Sequence, residues 1–199
     1  MPPEILDTKD KISLEQYFEQ ELIAEFKHEF ANGDVIDMEG ASFKHNIIFK
    51  NTLISLELTL NAQKKSCYMI GSDQLLYVDE CESIYYPDMM MICGDPDFYK
   101  DLKTGRMAIK NPTVIVEILS NSTQYIDRIT KWACYKTIPS LQEYILINQY
   151  AYTVEKLARK GEKEWLLSEV NGLDAKIQIN EIEVSLNDVY KNTENLPLE

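Results

Sequence analysis

The sequence predicts one α/β (α+β) domain, a mixed β-sheet flanked by helices, and three observations predict it. Amphipathic helical patterns occupy much of the first sixty residues, short β-branched and aromatic runs follow them, and one more helical pattern separates two of those runs. Strand, crossover helix and strand in that order make a layered fold with a mixed sheet. The pattern leaves the strand order open.

Ser13, three residues before Gln16, forms a capping-box pattern, and Leu14, Tyr17, Phe18, Leu22 and Ile23 supply the apolar face of a first helix that ends before His28. Asn32-Gly33 separates Glu29-Phe30 from Val35-Ile36, the strongest short hairpin signal in the chain. From Phe43 to about Leu60, the residues Phe43, Ile47, Ile54 and Leu58 recur at steps of four and seven and predict a second helix. Strands are expected from Cys67 to Ile70, Gln74 to Val78, Tyr85 to Cys93 and Met107 to Leu119. Ser122 or Thr123 caps a third helix running to about Lys136, where Pro139 stops it, and Tyr144 to Asn148 is the next strand. Tyr152 to Leu157, Trp165 to Val170 and Ile177 to Ile179 read as a meander closed by a short turn at Leu186 to Tyr190.

At 199 residues with 45% hydrophobic residues, the chain fits one domain over 1–199 with a single sizeable core. Met1 to Lys11 mixes charges with little apolar sequence, and no apolar stretch approaches the roughly 20 residues that cross a bilayer. A cytoplasmic protein without a membrane partner is therefore expected. Cys67, Cys81, Cys93 and Cys134 lack a close CxxC pair and are expected to be buried, reduced thiols rather than a zinc cluster. The formal net charge of −13 weighs against a nonspecific phosphate binder. Lys100, Lys103, Arg106 and Lys110, offset only by Asp101, make either a solvated hairpin loop or a local basic patch.

Three residues call for chemistry. Asp88, introduced by Tyr86-Pro87, stands at the head of the apolar run Met89 to Cys93. Glu117 lies within Val114-Ile115-Val116 and Ile118-Leu119, where an unpaired charge is costly, and strand alternation puts it on one face with Ile115 and Leu119. Lys131 falls four residues after Asp127 and four before Tyr135, on one stripe of the helix that leaves the Glu117 strand, within reach of that acid. A buried Glu117–Lys131 ion pair that merely locks strand to helix is the structural alternative.

The stretches His28-Glu29-Phe30 with Gly33, His45, Tyr86-Pro87-Asp88, Glu117-Ile118-Leu119-Ser120, Thr123, Asp127, Lys131, Tyr135 and Glu143-Tyr144, in that order, resemble the Uma-type putative restriction endonuclease family. That family is a branch of the PD-(D/E)xK nuclease superfamily. The resemblance spans most of the chain and implies a restriction-endonuclease-like fold, DNA as substrate, a homodimer, and Mg2+ (with Mn2+ as substitute) held by Asp88 and Glu117. It also implies that the superfamily lysine is Lys131 from the following helix, since Leu119 occupies the usual position. Ile145 and Asn148 depart from tryptophan and aspartate, which family members often carry. Glu29 is either a third carboxylate of this set or a solvent-facing hairpin residue. His45 is expected to be structural.

The implied chemistry is phosphodiester hydrolysis with Asp88, Glu117 and Lys131 as the catalytic set. Lys131 orients water or stabilises developing charge, and is not assigned as general base, because neighbouring carboxylates hold its proton. Asp97 is the rival aspartate, but Gly94-Asp95-Pro96 reads as a turn that leaves it on a loop. A catalytically idle relative that binds nucleic acid or a protein partner through the same cleft is the alternative function. A homodimeric interaction protein using the fold only as a scaffold is a third.

Overall fold

A computed structural model of the chain describes residues 11–196. Ser13 opens α1 (Leu14–Ile23) with both arms of the capping box formed. The chain then turns through Asn32 and Gly33, both at positive φ, as the tight turn between β1 (His28–Ala31) and β2 (Asp34–Asp37) requires. α2 (Phe43–Gln63) follows, capped by Ser42.

The remaining elements build two six-stranded sheets. The central one has the order β12 (Trp165–Asn171), β11 (Thr153–Arg159), β10 (Glu143–Asn148), β9 (Val114–Leu119), β6 (Met89–Cys93), β3 (Cys67–Gly71). Within it β9 and β10 are parallel, and the other neighbours are antiparallel. The second sheet runs β2, β1, β5 (Ser83–Tyr85), β4 (Leu75–Val78), β8 (Met107–Ile109), β7 (Phe98–Lys100). A π-helical segment, Ile126–Lys131, leads into α3 (Trp132–Tyr135) and carries the chain from β9 to β10, as a parallel pair demands. A hairpin of β13 (Lys176–Ile179) and β14 (Ile182–Ser185) then leads into α4 (Leu186–Val189). No helix among the described residues is long and apolar enough to cross a membrane.

The core is split by the central sheet. On one face Met89, Met91, Val114, Val116 and Ile118 pack with Ile48, Leu56 and Leu60 of α2 and with β13, β14 and α4. On the other, Met90, Ile115, Leu119 and Tyr144 pack with Tyr135, Ile138 and Leu141 and with Leu76, Val78 and Tyr85 of the second sheet. The second sheet turns Leu75, Tyr77 and Ile84 toward Tyr17 and Phe18 of α1.

Several local expectations are corrected. α2 buries Ile48, Thr52, Leu56 and Leu60, while Phe43, Ile54 and Leu58 are 63%, 48% and 65% exposed. Apolar residues form two stripes along this helix, and the hydroxyl of Thr52 disguises the one that faces the sheet. Leu22 and Ile23 at the end of α1 are likewise exposed, leaving Tyr17 and Phe18, with half-buried Leu14, as its core contacts. Neither Ser122 nor Thr123 caps the third helical segment, which begins after Tyr125 without a side-chain cap; the Ser120 Oγ accepts the Thr123 N–H at 3.1 Å in the turn before it. The cysteines are paired as Cys67–Cys93 and Cys81–Cys134, so none among the described residues is a free thiol. Cys67 and Cys93 face each other across the β3–β6 ladder, a proximity that sequence spacing does not reveal.

Two expected long strands are each broken in two. Tyr85 to Cys93 is interrupted around Pro87, and Met107 to Leu119 around Pro112, so β5 and β8 belong to the second sheet while β6 and β9 belong to the central one. Proline cannot donate to a ladder, and both crossings from sheet to sheet fall there. Asp88 therefore lies where the chain passes between sheets.

Candidate active site between the sheets

The β6–β9 ladder pairs Met89 with Val116 and goes no further in this direction. Beyond it the side chains take over from the backbone. The Asp88 N–H donates to Glu117 Oε2 at 3.0 Å, and the Ile118 N–H donates to Asp88 Oδ2 at 2.7 Å. Glu117 is on the face shared by Ile115 and Leu119, as strand alternation required, and is 3% exposed.

Lys131 reaches into the same space from the π-helical segment. Its Nζ lies 3.0 Å from Glu29 Oε1, 3.3 Å from Glu117 Oε1 and 3.3 Å from Asp127 Oδ1, and none of these four side chains is more than 8% exposed. The π turn has a positional effect. In an α-helix of 3.6 residues per turn, residues four apart drift steadily around the axis, whereas the wider i→i+5 turn corrects the drift. Asp127, Lys131 and Tyr135, spaced by four, thus stay aligned and buried. The Tyr135 hydroxyl donates to Glu117 Oε1 at 3.1 Å. From the second sheet, Glu29 is fixed by the Tyr86 N–H at 3.1 Å, and the Tyr86 hydroxyl donates to buried Glu21 at 2.9 Å.

The structure thus brings together Asp88, Glu117, Lys131 and Glu29, and Glu29 is buried rather than solvent-facing. His45 was expected to be structural, and its Nε2 lies 3.1 Å from Asp88 Oδ1. Asp127 and Tyr135 were placed on the lysine stripe by spacing alone, and both contact the cluster. His45 stood among the stretches that carry the family resemblance, and that was the signal available for it. Asp97 is exposed, its N–H bonded to Asn111, and it has no part in the cluster. In the basic stretch, Lys103 pairs with Glu19 and Lys110 with Asp79, so half of its positive charge is already matched on a β7–β8 hairpin.

Electrostatically the cluster sets three carboxylates, of Glu29, Glu117 and Asp127, around one ammonium, with a fourth, Asp88, beside Glu117. Burial pushes the Glu117 carboxyl well above the ordinary range; Lys131 opposes this, and Asp127, Asp88 and Glu29 add to it. Burial likewise raises Asp127 against the pull of Lys131. For Lys131, burial opposes the charge, but Glu117, Glu29 and Asp127 together outweigh it and hold the ammonium protonated well beyond the ordinary lysine range. Burial and the surrounding acids keep the Tyr135 hydroxyl protonated, and hence a donor.

An excess of buried negative charge is an environment that a divalent cation relieves. Carboxylate oxygens are hard donors suited to Mg2+, which is commonly bound by one or two carboxylates with water and substrate phosphate completing its shell. Among the described residues no three His, Cys, Asp or Glu side chains form a ready-made cage. The donor set of Asp88 and Glu117 fits Mg2+ rather than an ion that needs a closed protein cage.

Comparison with known proteins agrees with this architecture. The family model described as Uma2, putative restriction endonuclease, matches residues 14–188. The uncharacterized protein sll1609 of Synechocystis sp. is 36% identical over 176 residues, covering 88% of this chain and 97% of its own length. A second uncharacterized protein of that organism, slr1290, is 28% identical over 157 residues, 79% of each chain. A crystal structure described as a putative nuclease belonging to DUF820, from Anabaena variabilis, superposes with a TM-score of 0.69 over 90% of this chain and 97% of that chain. At 17% identity this likeness shows the fold alone, and it bears out the mixed-sheet class expected from sequence.

Proposed function

From its membership of the Uma2 family of putative restriction endonucleases, to which this chain belongs, we propose that it is a metal-dependent nuclease that hydrolyses DNA phosphodiester bonds. The observation that carries this reading is the buried excess of carboxylate around one lysine, where the β6–β9 ladder gives way to side chains.

In this reading Asp88 and Glu117 would hold Mg2+, with Mn2+ as substitute, and Glu29 is assigned as an outlying third carboxylate whose Oε1 carries the Lys131 contact. The bound cation supplies charge neutralisation at the scissile phosphate and a water of lowered pKa. Lys131 is held charged by its acids, so it stabilises the charge that develops on the phosphoryl oxygens and does not abstract a proton. Tyr135 fixes Glu117 Oε1, and the backbone N–H of Ile118 fixes Asp88 Oδ2. We also assign the chain one domain over 1–199, a homodimeric state and a cytoplasmic location. Disulfides are rare in a reducing compartment, so the cytoplasmic assignment requires both bridges to be open in the cell, and thiol trapping in intact cells tests it: four trapped thiols support it and closed bridges contradict it.

The net charge of −13 and the matched lysines favour a second reading, in which the cleft binds nucleic acid or a protein partner without cutting. Calorimetric titration of Mn2+ into wild type, Asp88→Ala and Glu117→Ala tests the metal set without presuming a substrate. Saturable binding lost in both variants is expected; binding that survives both substitutions overturns the assignment.

A further inference from the structure

His45 contacts Asp88, and the proposed chemistry gives it no role. We propose that His45 is a positioning residue: its Nε2–H, 3.1 Å from Asp88 Oδ1, fixes that carboxylate in the orientation in which it takes up a divalent cation. The proposal rests on the metal reading above and adds a residue from outside the acid and lysine set.

The geometry is built from three elements. His45 is the third residue of α2, and its backbone N–H donates to Ser42 Oγ at 3.0 Å. The same hydroxyl donates to Oε1 of Gln149 at 2.8 Å, and Gln149, just past the end of β10, is 4% exposed. The first turn of α2 is therefore pinned to the parallel neighbour of the strand that carries Glu117, and His45 is aimed from there at Asp88. The two side chains are 12% and 19% exposed, so the pair is shielded from most of the solvent that weakens a surface contact.

Asp88 is then held at both oxygens. Oδ2 accepts from the Ile118 N–H at 2.7 Å and Oδ1 faces His45. With a carboxylate as the acceptor, Nε2 is the nitrogen that carries the proton. A carboxylate bonded at each oxygen does not swing about its terminal torsion, yet each oxygen keeps a lone pair for a cation. Outer residues of this kind orient a ligand before the metal arrives, and their loss typically costs 10–100-fold in metal affinity.

The test is a Mn2+ titration by calorimetry of wild type, of His45→Leu and His45→Ala, which lack the donor, and of His45→Gln, whose amide keeps one. Thermal unfolding of each metal-free protein accompanies it. Affinity should fall about 10–100-fold in the donor-less variants and largely recover in His45→Gln, with little difference in metal-free unfolding. A role in packing alone moves the unfolding midpoint and leaves the affinity of the folded protein unchanged. Equal Mn2+ affinity in wild type and either donor-less variant overturns this proposal and leaves the metal reading standing. Wild type that binds no Mn2+ removes the metal reading, and this proposal with it.

Discussion

Replacing Lys131 with methionine removes one charge while keeping a chain of similar length. The Glu29, Glu117 and Asp127 oxygens at 3.0, 3.3 and 3.3 Å then face one another across a site that is at most 8% exposed. At an effective dielectric of about 20, each such contact is worth about 5 kcal/mol gross. Desolvation of the four groups cancels most of that, and removing one partner of a buried charge cluster costs about 3–5 kcal/mol net. For a chain of this size the loss corresponds to a fall in Tm of roughly 6–20 °C. It also depends on pH. Without the ammonium, the already raised carboxyls of Glu117 and Asp127 rise further, so the folded variant binds more protons than the unfolded chain. Stability then falls as pH rises from the unfolded carboxyl values, near 4, through the raised folded ones, by about 1.4 kcal/mol per pH unit for each extra proton. Urea unfolding of wild type and Lys131→Met, followed by tyrosine and tryptophan fluorescence at about pH 5.5 and about pH 8, measures both effects. A loss below about 1 kcal/mol, equal at the two pH values, refutes the buried cluster, because that is how exposed ion pairs behave.

Thr52 Oγ1 is buried with no hydrogen-bond partner among the described residues, so Thr52→Val, similar in shape, should raise stability by about 1 kcal/mol in urea unfolding; a decrease would contradict the packing of α2. Burial pushes the Asp101 carboxyl up, but the Thr104 hydroxyl and N–H, each 2.6 Å away, outweigh it and leave it below the ordinary range. Its contribution is present above the unfolded value near 3.9 and is lost as pH falls through the lowered folded value. Asp101→Ala should therefore cost about 1–3 kcal/mol at neutral pH and progressively less toward acid, as followed by circular dichroism. Thiol titration of the denatured, unreduced protein should find no free cysteine. Reduction should lower stability, by about 4 kcal/mol for the 53-residue separation of Cys81 and Cys134. Four titratable thiols with unchanged stability would exclude the bridges.

What the sequence made legible follows the range of the forces involved. The Ser13 cap and the Asn32-Gly33 turn are set by neighbouring residues and formed as expected. Asp88 at the head of an apolar run and Glu117 among β-branched residues stood out because a charge there conflicts with its local setting whatever the tertiary structure. The buried stripe of α2 was not legible, since only the sheet beneath chooses between two apolar faces. Pairing of Cys67 with Cys93 depends on β3 meeting β6 in register, which no spacing rule fixes. Glu29 and His45 reach the site from a hairpin and a helix far from Glu117 in sequence, so their roles depend on how the two sheets close. The π-helical segment has no sequence marker of its own; the repeated spacing of Asp127, Lys131 and Tyr135 was its only trace.

The most direct test of the nuclease reading is strand scission of supercoiled plasmid and of single-stranded DNA by the wild-type protein in Mg2+ and in Mn2+. Chelated samples and Glu117→Gln and Lys131→Met serve as controls. Scission that requires metal and disappears in both variants is the expected result. A folded, metal-binding wild type that cuts neither DNA, or a Glu117→Gln variant that cuts as well as wild type, contradicts it.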